Sequence, residues 1–275
     1  MKSSKSSPLF SIITVVFNGE THLEQTIQSV IHQSCTDFEY IVIDGGSTDG
    51  TLNIIRAYDH AITSWISEPD RGIFDAMNKG IRKSSGSFLA FLNADDWYEP
   101  HILEKVKEKI SSITESLENR VIYCDYYSYD EELSSETRTE QISELKYWKG
   151  MTVSHQAMFV HRSVIETLGM FSTDYRFASD YDYFLRMITA GVVFTKVDVH
   201  GVNFRKGGVS TQYMNRSIGE VSKIVRLYFG IWSREYVLFL LTNRCPSMIA
   251  NIRFFLSKII GKNNTLILRR LYHKK

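Results

Sequence analysis

The chain has 275 residues, 43% hydrophobic and 23% charged, enough to bury a substantial core in one large domain with an appendage. Its net charge of +1 hides two regions: residues 216–275 hold 12 Lys/Arg against Glu220 and Glu235, and residues 1–215 hold 20 against 29 Asp/Glu. Cys35, Cys124 and Cys245 lie too far apart for a paired disulfide framework or a zinc site, which favours a reducing compartment, and the N-terminus lacks a signal-peptide apolar segment, so secretion is not expected.

From Leu9 to Leu92, short β-branched runs alternate with amphipathic segments. "LFSIITVVF" reads as a strand, followed by Leu23, Ile27, Val30 and Ile31 at helical spacing, the strand "YIVID", and a helix carrying Leu52, Ile54, Ile55 and Tyr58. The strand "ITSWIS", a helix carrying Ile73, Phe74, Met77 and Ile81, and the strand "SFLAFL" complete the series. Such alternation predicts an α/β fold with a mostly parallel, doubly wound sheet flanked by helices. Residues 125–146 are polar and predict a hairpin or surface excursion. "SHQAMFVHR" then reads as a strand, Ser163 to Leu168 as a helix stopped by Gly169, and "ASDYDYFLRMITAG" as a helix opening with acids. Val192 to Val197 and Val199 to Phe204 read as two further strands before the loop "RKGGVS".

In a doubly wound sheet the ligand sits beyond the carboxyl ends of the strands, where Asn18, Asp44, Asp70 and the Asp95/Asp96 pair all fall. Adjacent acids at the mouth of a buried strand repel each other and lose hydration, so Asp95 and Asp96 call for a cation or a donor-rich ligand. Oxygen-only ligation suits hard Mg²⁺ or Mn²⁺. Asp44 is flanked by Gly45 and Gly46, which let a planar ligand approach the backbone, and Asp49 reads as a structural cap.

The succession "SIITVVFNG", "DGGSTDGT", "SEPDRGIFDAMNKGI", "FLNADDWYEP" and "ASDYDYFLR" resembles the inverting family 2 glycosyltransferases of the GT-A fold, particularly bacterial enzymes of surface-polysaccharide synthesis. The change of composition beyond about Met214 sets off a basic helical tail (216–275) from the GT-A domain (1–215), and the resemblance, which covers roughly residues 8–210, implies a set of roles. Asp44 would accept the imide hydrogen of a uracil or guanine base. Thr14, Asn18, Asp70, Arg71, Asp75 and Asn78 would line the nucleotide-sugar pocket, although Asn18 reads equally as a turn residue and Asp75 as a solvated first-turn acid. Asp95 would contact ribose or metal-bound water, and Asp96 would ligate the divalent ion bridging both phosphates. Asn93 stands where the family often has Asp, one charge fewer beside the nucleotide. Asp180 aligns with the catalytic base and Ser179 with a common Glu. Asp182 is the competitor, read as structural or acceptor-binding, and Arg186 as its partner. Trp148, His155 and Gln156 would edge the acceptor pocket, with a satisfied buried histidine as the alternative for His155. Arg205 and Lys206 would neutralise the leaving diphosphate or form a plain basic turn.

The expected activity is metal-dependent inverting transfer from a nucleoside-diphosphate sugar, UDP-linked, to a polysaccharide or lipid-linked oligosaccharide. A non-catalytic nucleotide-sugar-binding module would lack the base that Asp180 supplies, and a sugar-phosphate nucleotidyltransferase would carry a Gly-rich basic loop where this chain has "FNGETHLEQ". No nucleic-acid partner is expected. The tail interleaves bases with apolar residues, and its longest apolar run, Tyr236 to Leu241, is too short to span a bilayer. Two readings stand for it: peripheral attachment to the anionic inner face of the plasma membrane, or packing on the catalytic domain.

Overall fold

The computed structural model describes residues 7–131, 135–139, 151–207 and 214–230, with 233, 235–237 and 239. The chain divides into two compact units, one of Met1–Tyr147 with Met151–Glu220 and one of Trp148–Gly150 with Val221–Lys275. The first unit carries the sheet. In the second, the described residues are mainly the C-terminal part of a helix, with helical residues also at 235–237 and 239, and the rest of the tail lies outside the described residues.

The first half alternates strand and helix as the periodicity predicts: β1 Phe10–Val16, α1 Leu23–Ile31, β2 Phe38–Asp44, α2 Thr51–Ala57, β3 Ser64–Ser67, α3 Ile73–Lys83 and β4 Phe88–Asn93. Every residue of β1 is buried, because helices cover both faces of a parallel sheet and leave no polar side to alternate with. Helix α1 buries Leu23, Ile27 and Val30, one stripe at i, i+4 and i+7, and α3 buries Phe74, Met77 and Ile81 in the same manner. Each such side chain contributes roughly 1.5–3 kcal/mol when removed from water. Phe10 and Phe159 add an edge contact at 5.7 Å in the core between the strands.

The register decides where the site falls. Strands β1, β2, β3 and β4 are parallel, with Val16 opposite Asp44, Asp44 opposite Ser67 and Val15 opposite Asn93. Their carboxyl ends are therefore level, and the loops that follow them open on one edge of the sheet.

The second half comprises β5 Trp97–Tyr98, α4 Ile102–Ser112, β6 Arg120–Asp130, β7 Ser135–Thr139, β8 Met158–His161, α5 Arg162–Leu168, α6 Ser179–Thr189, β9 Val193–Arg205 and α7 Met214–Phe229. The strand order is β3-β2-β1-β4-β8-β6-β9-β5, with β7 paired to β6. β8 runs antiparallel between β4 and β6, β9 parallel to β6, and β5 antiparallel to β9, so the sheet is mixed. β6 and β7 form the hairpin expected of the polar segment.

Two readings are corrected here. The two strands expected on either side of Asp198 are one, β9, and the break falls where its register with β6 shifts: Cys124 pairs with Val197, Asp125 with His200 and Tyr126 with Val202. The extra residues of β9 are accommodated as a bulge, which interrupts the alternation without ending the strand. "SHQAMFVHR" is only partly a strand, since His155–Ala157 form a 3₁₀ turn ahead of β8. That turn aims His155 and Gln156 at the strand tips.

Candidate active site

A cavity of about 940 Å³ lies beyond the carboxyl ends of the strands. It is lined by Phe17 and Asn18 just after β1, by Gly45 just after β2, by Asp70 and Arg71 before α3 and Asp75 in its first turn, and by Asn93 at the end of β4 and Asp95 beyond it. His155, Gln156, Asp180, Arg205 and the loop 173–177 line it from the second half of the unit.

The strand-tip loops are held by short polar ties. Ser47 Oγ accepts from Asn18 N–H at 2.7 Å, and Asn18 Oδ1 accepts from Thr48 N–H at 2.9 Å, with Asn18 itself at φ 52°. Asn18 is thus a turn residue that also faces the cavity. A Cβ on Gly45 would meet Asp70 Oδ2 at 2.4 Å, so only glycine lets the Asp70 carboxylate sit against this backbone. Asp70 Oδ1 in turn accepts from Gly72 N–H at 2.8 Å, and Gly72 has φ 119°, a left-handed geometry that the entry to α3 requires. Asp75, in the first turn of α3, accepts from Arg71 N–H at 3.1 Å and from the Arg71 guanidinium at 3.3 Å. Partial burial would raise its pKa, but these Arg71 contacts prevail and hold it below the ordinary carboxylate range.

Asp44, expected against a base, is fully buried and does not line the cavity. It accepts from the N–H groups of Gly46 and Ser47 and from the hydroxyls of Ser47 and Ser67, organising the turn behind Gly45. Thr14 and Asn78 are likewise turned inward. Thr14 Oγ1 accepts from the Tyr40 hydroxyl at 3.1 Å, and the Asn78 carboxamide clasps the Phe171 backbone through two bonds, 2.8 and 3.0 Å, across the unit.

The acidic pair divides its labour by direction. Asp95 lines the cavity. Asp96 is 1% exposed, accepts from Arg205 N–H at 2.9 Å and from the Gln156 carboxamide at 3.1 Å, and lies outside the cavity lining. Burial, followed by the Asp95 charge, drives the Asp96 pKa well above the ordinary value. Burial also raises that of Asp95, against the charges of His22 and Arg205. Asp96, expected to bind metal, is thus the inward acid, and Asp95 is the one that lines the cavity.

A hard cation fits the outward side. Asn93 Oδ1 is buried without a hydrogen-bond partner, in the cavity wall beside Asp95, and both are oxygen donors. Asp70, Asp75, Asp95, Asp174 and Asp180 all line the same cavity, against Arg71, Arg176 and Arg205 as guanidinium cations. Among the described residues no cluster of three His, Cys, Asp or Glu ligands is present.

Helix α6 contributes Asp180. Its Oδ1 accepts from Tyr181 N–H at 2.8 Å, and its Oδ2 lies 3.2 Å from His155 Nδ1. His155 Nε2 is buried and without a partner. Asp182, two residues on, points the other way: it is 6% exposed and accepts from Arg186 Nε at 3.0 Å, while Arg186 also bonds the Leu168 carbonyl. Gln156 bridges the two halves of the site through Asp96.

Arg205, the last residue of β9, lines the cavity with its donors engaged by protein groups, and Lys206 follows it. Arg205 is 7% exposed and donates to the Asp95 carbonyl and to Gln25, pairs with Glu131 at 3.2 Å, and stacks over Trp97 and Tyr129. Lys206 is near Asp130 at 3.8 Å and does not line the cavity. Trp148 lies outside the described residues. The cavity also gains residues that sequence reasoning passed over: Phe17, 63% exposed at the end of β1, and Tyr175 and Arg176 in the loop before α6. An aromatic at a strand tip, where a core residue would be buried, was the one available signal for Phe17.

Comparison with known proteins agrees with this geometry. The family model of Glycosyl transferase family 2 matches residues 11–169. A PGL/p-HBAD biosynthesis glycosyltransferase of Mycobacterium tuberculosis is 31% identical over 196 residues, 70% of this chain and 74% of that protein. Among solved structures, Staphylococcus aureus TarS 1–349 in complex with UDP-GlcNAc has a TM-score of 0.64 at 17% identity, covering 82% of this chain and 67% of that one, and this chain spans 39% of a longer TarS structure. A mannosyltransferase from Pyrobaculum calidifontis, in complex with GDP-Man and Mn²⁺, has a TM-score of 0.65 at 14% identity, covering 97% and 80%. With five motifs in register, a cavity at the level strand ends and these likenesses, the chain belongs to glycosyl transferase family 2 and adopts its GT-A fold.

Proposed function

We propose that this glycosyltransferase moves a sugar from a nucleoside-diphosphate sugar, UDP-linked, to a hydroxyl of a polysaccharide or lipid-linked oligosaccharide, with inversion at the anomeric carbon. The observation that carries the reading is that Asp95 and Asp180 face one cavity from different elements, large enough for donor and acceptor together. Its likeness to structures holding UDP-GlcNAc and GDP-Man with Mn²⁺ supports the donor class.

In the proposed reaction, Asp180 takes the proton of the acceptor hydroxyl as that oxygen bonds to the anomeric carbon, and the bond to the diphosphate breaks with its electron pair leaving on phosphate oxygen. Each Asp180 oxygen keeps an acceptor lone pair beyond its contact with Tyr181 N–H or His155, and these contacts fix the carboxylate in one orientation. Asp95 with the Asn93 carboxamide oxygen would hold a divalent ion, Mn²⁺ or Mg²⁺, which when bound supplies positive charge to the leaving diphosphate. Asp96 serves this arrangement from behind, tying Arg205 and Gln156 to the strand tip. Phe17 offers an exposed ring on which a base can stack, beside the Gly45 backbone and Asp70.

No helix among the described residues is long and apolar enough to cross a membrane. The basic tail would place the enzyme on the anionic cytoplasmic leaflet, where a lipid-linked acceptor is confined, each nearby Lys or Arg adding about 1 kcal/mol. The test is a screen of UDP- and GDP-sugars with Mn²⁺, reading release of nucleoside diphosphate. Chelator-sensitive turnover of one donor is the expected result. Turnover unaffected by chelator would overturn the metal assignment, and failure of every nucleoside diphosphate to bind would overturn the donor class.

A further inference from the structure

Helix α6 carries the proposed base in its first turn but has no cap of its own. Its N-cap position is Ala178, whose methyl group accepts nothing, so the N–H groups of the N-cap and of the turn leading into it need another partner. Glu220, from α7, supplies it. Glu220 Oε1 accepts from Arg176 N–H at 3.1 Å, and Oε2 from Phe177 N–H at 2.8 Å and Ala178 N–H at 3.0 Å. Three consecutive donors thus converge on one carboxylate more than 40 residues away in sequence. An anion at a helix N-terminus also meets the positive end of the macrodipole, and hydrogen bonds to a charged acceptor are the stronger kind.

The segment so held lines the cavity next to Asp180. Thr173 to Phe177 line the cavity, Ser179 Oγ closes their loop onto the Ser172 carbonyl at 2.7 Å, and Asp180 follows directly. Glu220 is also the sole acid of α7, in a stretch otherwise carrying Arg216, Lys223 and Arg226, and it lies beyond the residues matched to the family. Its charge has a local use that the basic character of the region does not explain.

We propose that Glu220 is a positioning residue for the transfer, fixing residues 173–178 and thereby the orientation of Asp180 toward the acceptor. The inference rests on Asp180 being the base, and its test keeps the two apart by including a readout that needs no activity. In the full chain, hydrogen exchange at the amides of Phe177 and Ala178 is compared among wild type, Glu220→Ala and Glu220→Gln. Exchange about tenfold or more faster in the alanine variant is expected, with glutamine intermediate because its carbonyl still accepts without the charge. The same variants should lower kcat about tenfold and raise the acceptor KM, while nucleoside-diphosphate Kd stays within about twofold. Unchanged exchange in both variants overturns the capping role, and a donor Kd that worsens in step with kcat overturns the positioning role in favour of general destabilisation. If the alanine variant does not fold, the glutamine variant alone decides by the same two measures. Loss of transfer in Asp180→Asn with no effect of Glu220→Ala would leave the base assignment standing and remove only this one.

Discussion

The two walls of the cavity are built by different means. The strand-tip wall is made by loops that tie to themselves and their nearest neighbours: Asp44 to Gly46, Ser47 and Ser67, Asn18 to Ser47 and Thr48, and Asp70 to Gly72. The α6 wall is joined to other elements across the unit, by Asn78 on Phe171 and Gln156 on Asp96 over 93 and 60 residues of chain, and by His155 on Asp180 and Glu220 on Phe177. The first wall is preorganised by the register of a parallel sheet, and the second depends on helices and turns being correctly placed against it. Under the proposed function the first wall takes the donor and the second the acceptor, an arrangement in which one fold keeps its donor chemistry while the acceptor side varies.

If the walls are separable, damage to one should spare the other. The largest effect is expected from Asp180→Asn: kcat lower by about 10²–10⁴-fold, with nucleoside-diphosphate Kd unchanged by titration calorimetry. A parallel loss of nucleotide binding would show that the walls act as one. If Asp182→Asn reproduces the drop and Asp180→Asn does not, the base is misassigned, although Asp182 is turned toward Arg186.

On the other wall, Asp95→Ala should weaken Mn²⁺-dependent nucleoside-diphosphate binding by about 10–100-fold, since it removes the one carboxylate of the pair that faces the cavity. Asp96→Ala should differ in kind. It leaves Arg205 N–H and the Gln156 carboxamide without acceptors in a buried place, at a cost of about 1–3 kcal/mol each before relaxation, which thermal unfolding would register. Equal loss of metal-dependent binding in both variants, with no change in Tm for Asp96→Ala, would reverse the division of labour drawn here.

His155 tests the far wall more gently. His155→Ala should lower kcat about tenfold by releasing Asp180 Oδ2, and His155→Asn, whose amide can donate near the position of Nδ1, should recover part of it. A loss confined to Tm, with kcat intact, would make the histidine a packing residue.

The contrast between the walls also marks what the sequence could disclose. Apolar alternation located β1 to β4 and α1 to α3, and parallel pairing then levelled the strand ends, so that acids following each strand were necessarily at one edge. Which way each acid points was not legible. Asp95 and Asp96 are adjacent and chemically identical, and only the approach of Arg205 and Gln156 from distant strands and turns selects the inward one. Thr14, Asp44 and Asn78 failed to reach the cavity for the same reason, because partners at Tyr40, Ser67 and Phe171 claim their polar atoms. Arg205 reads as an available cation until Trp97, Tyr129, Gln25 and Glu131 surround it. The expected elements do not include helix α4 or the first half of β6, and they break β9 at Asp198, where a bulge mimics a strand end. For the side-chain directions and for β9 the missing information is a long-range contact, which periodicity does not encode, whereas α4 carries its own apolar stripe at Ile102, Val106 and Ile110.

The smallest effect sharpens the comparison from the strand-tip side. Asp75 bonds back to Arg71 N–H from the first turn of α3, a tie that spans only four residues and places Arg71 at the cavity mouth. Because its pKa is lowered in the folded protein, its stabilisation is complete above the unfolded carboxylate value of about 3.9 and is lost as pH falls through the lower folded value. Asp75→Asn should therefore cost about 0.3–1 kcal/mol at pH 7, and the gap to wild type should close progressively below about pH 4 in urea titrations. Transfer to the acceptor should be affected only through donor KM, since Arg71 belongs to the strand-tip wall. A variant deficit that persists unchanged at pH 3 would mean that shape, and not charge, is what Asp75 contributes, and a change in acceptor KM would mean that the two walls communicate through α3.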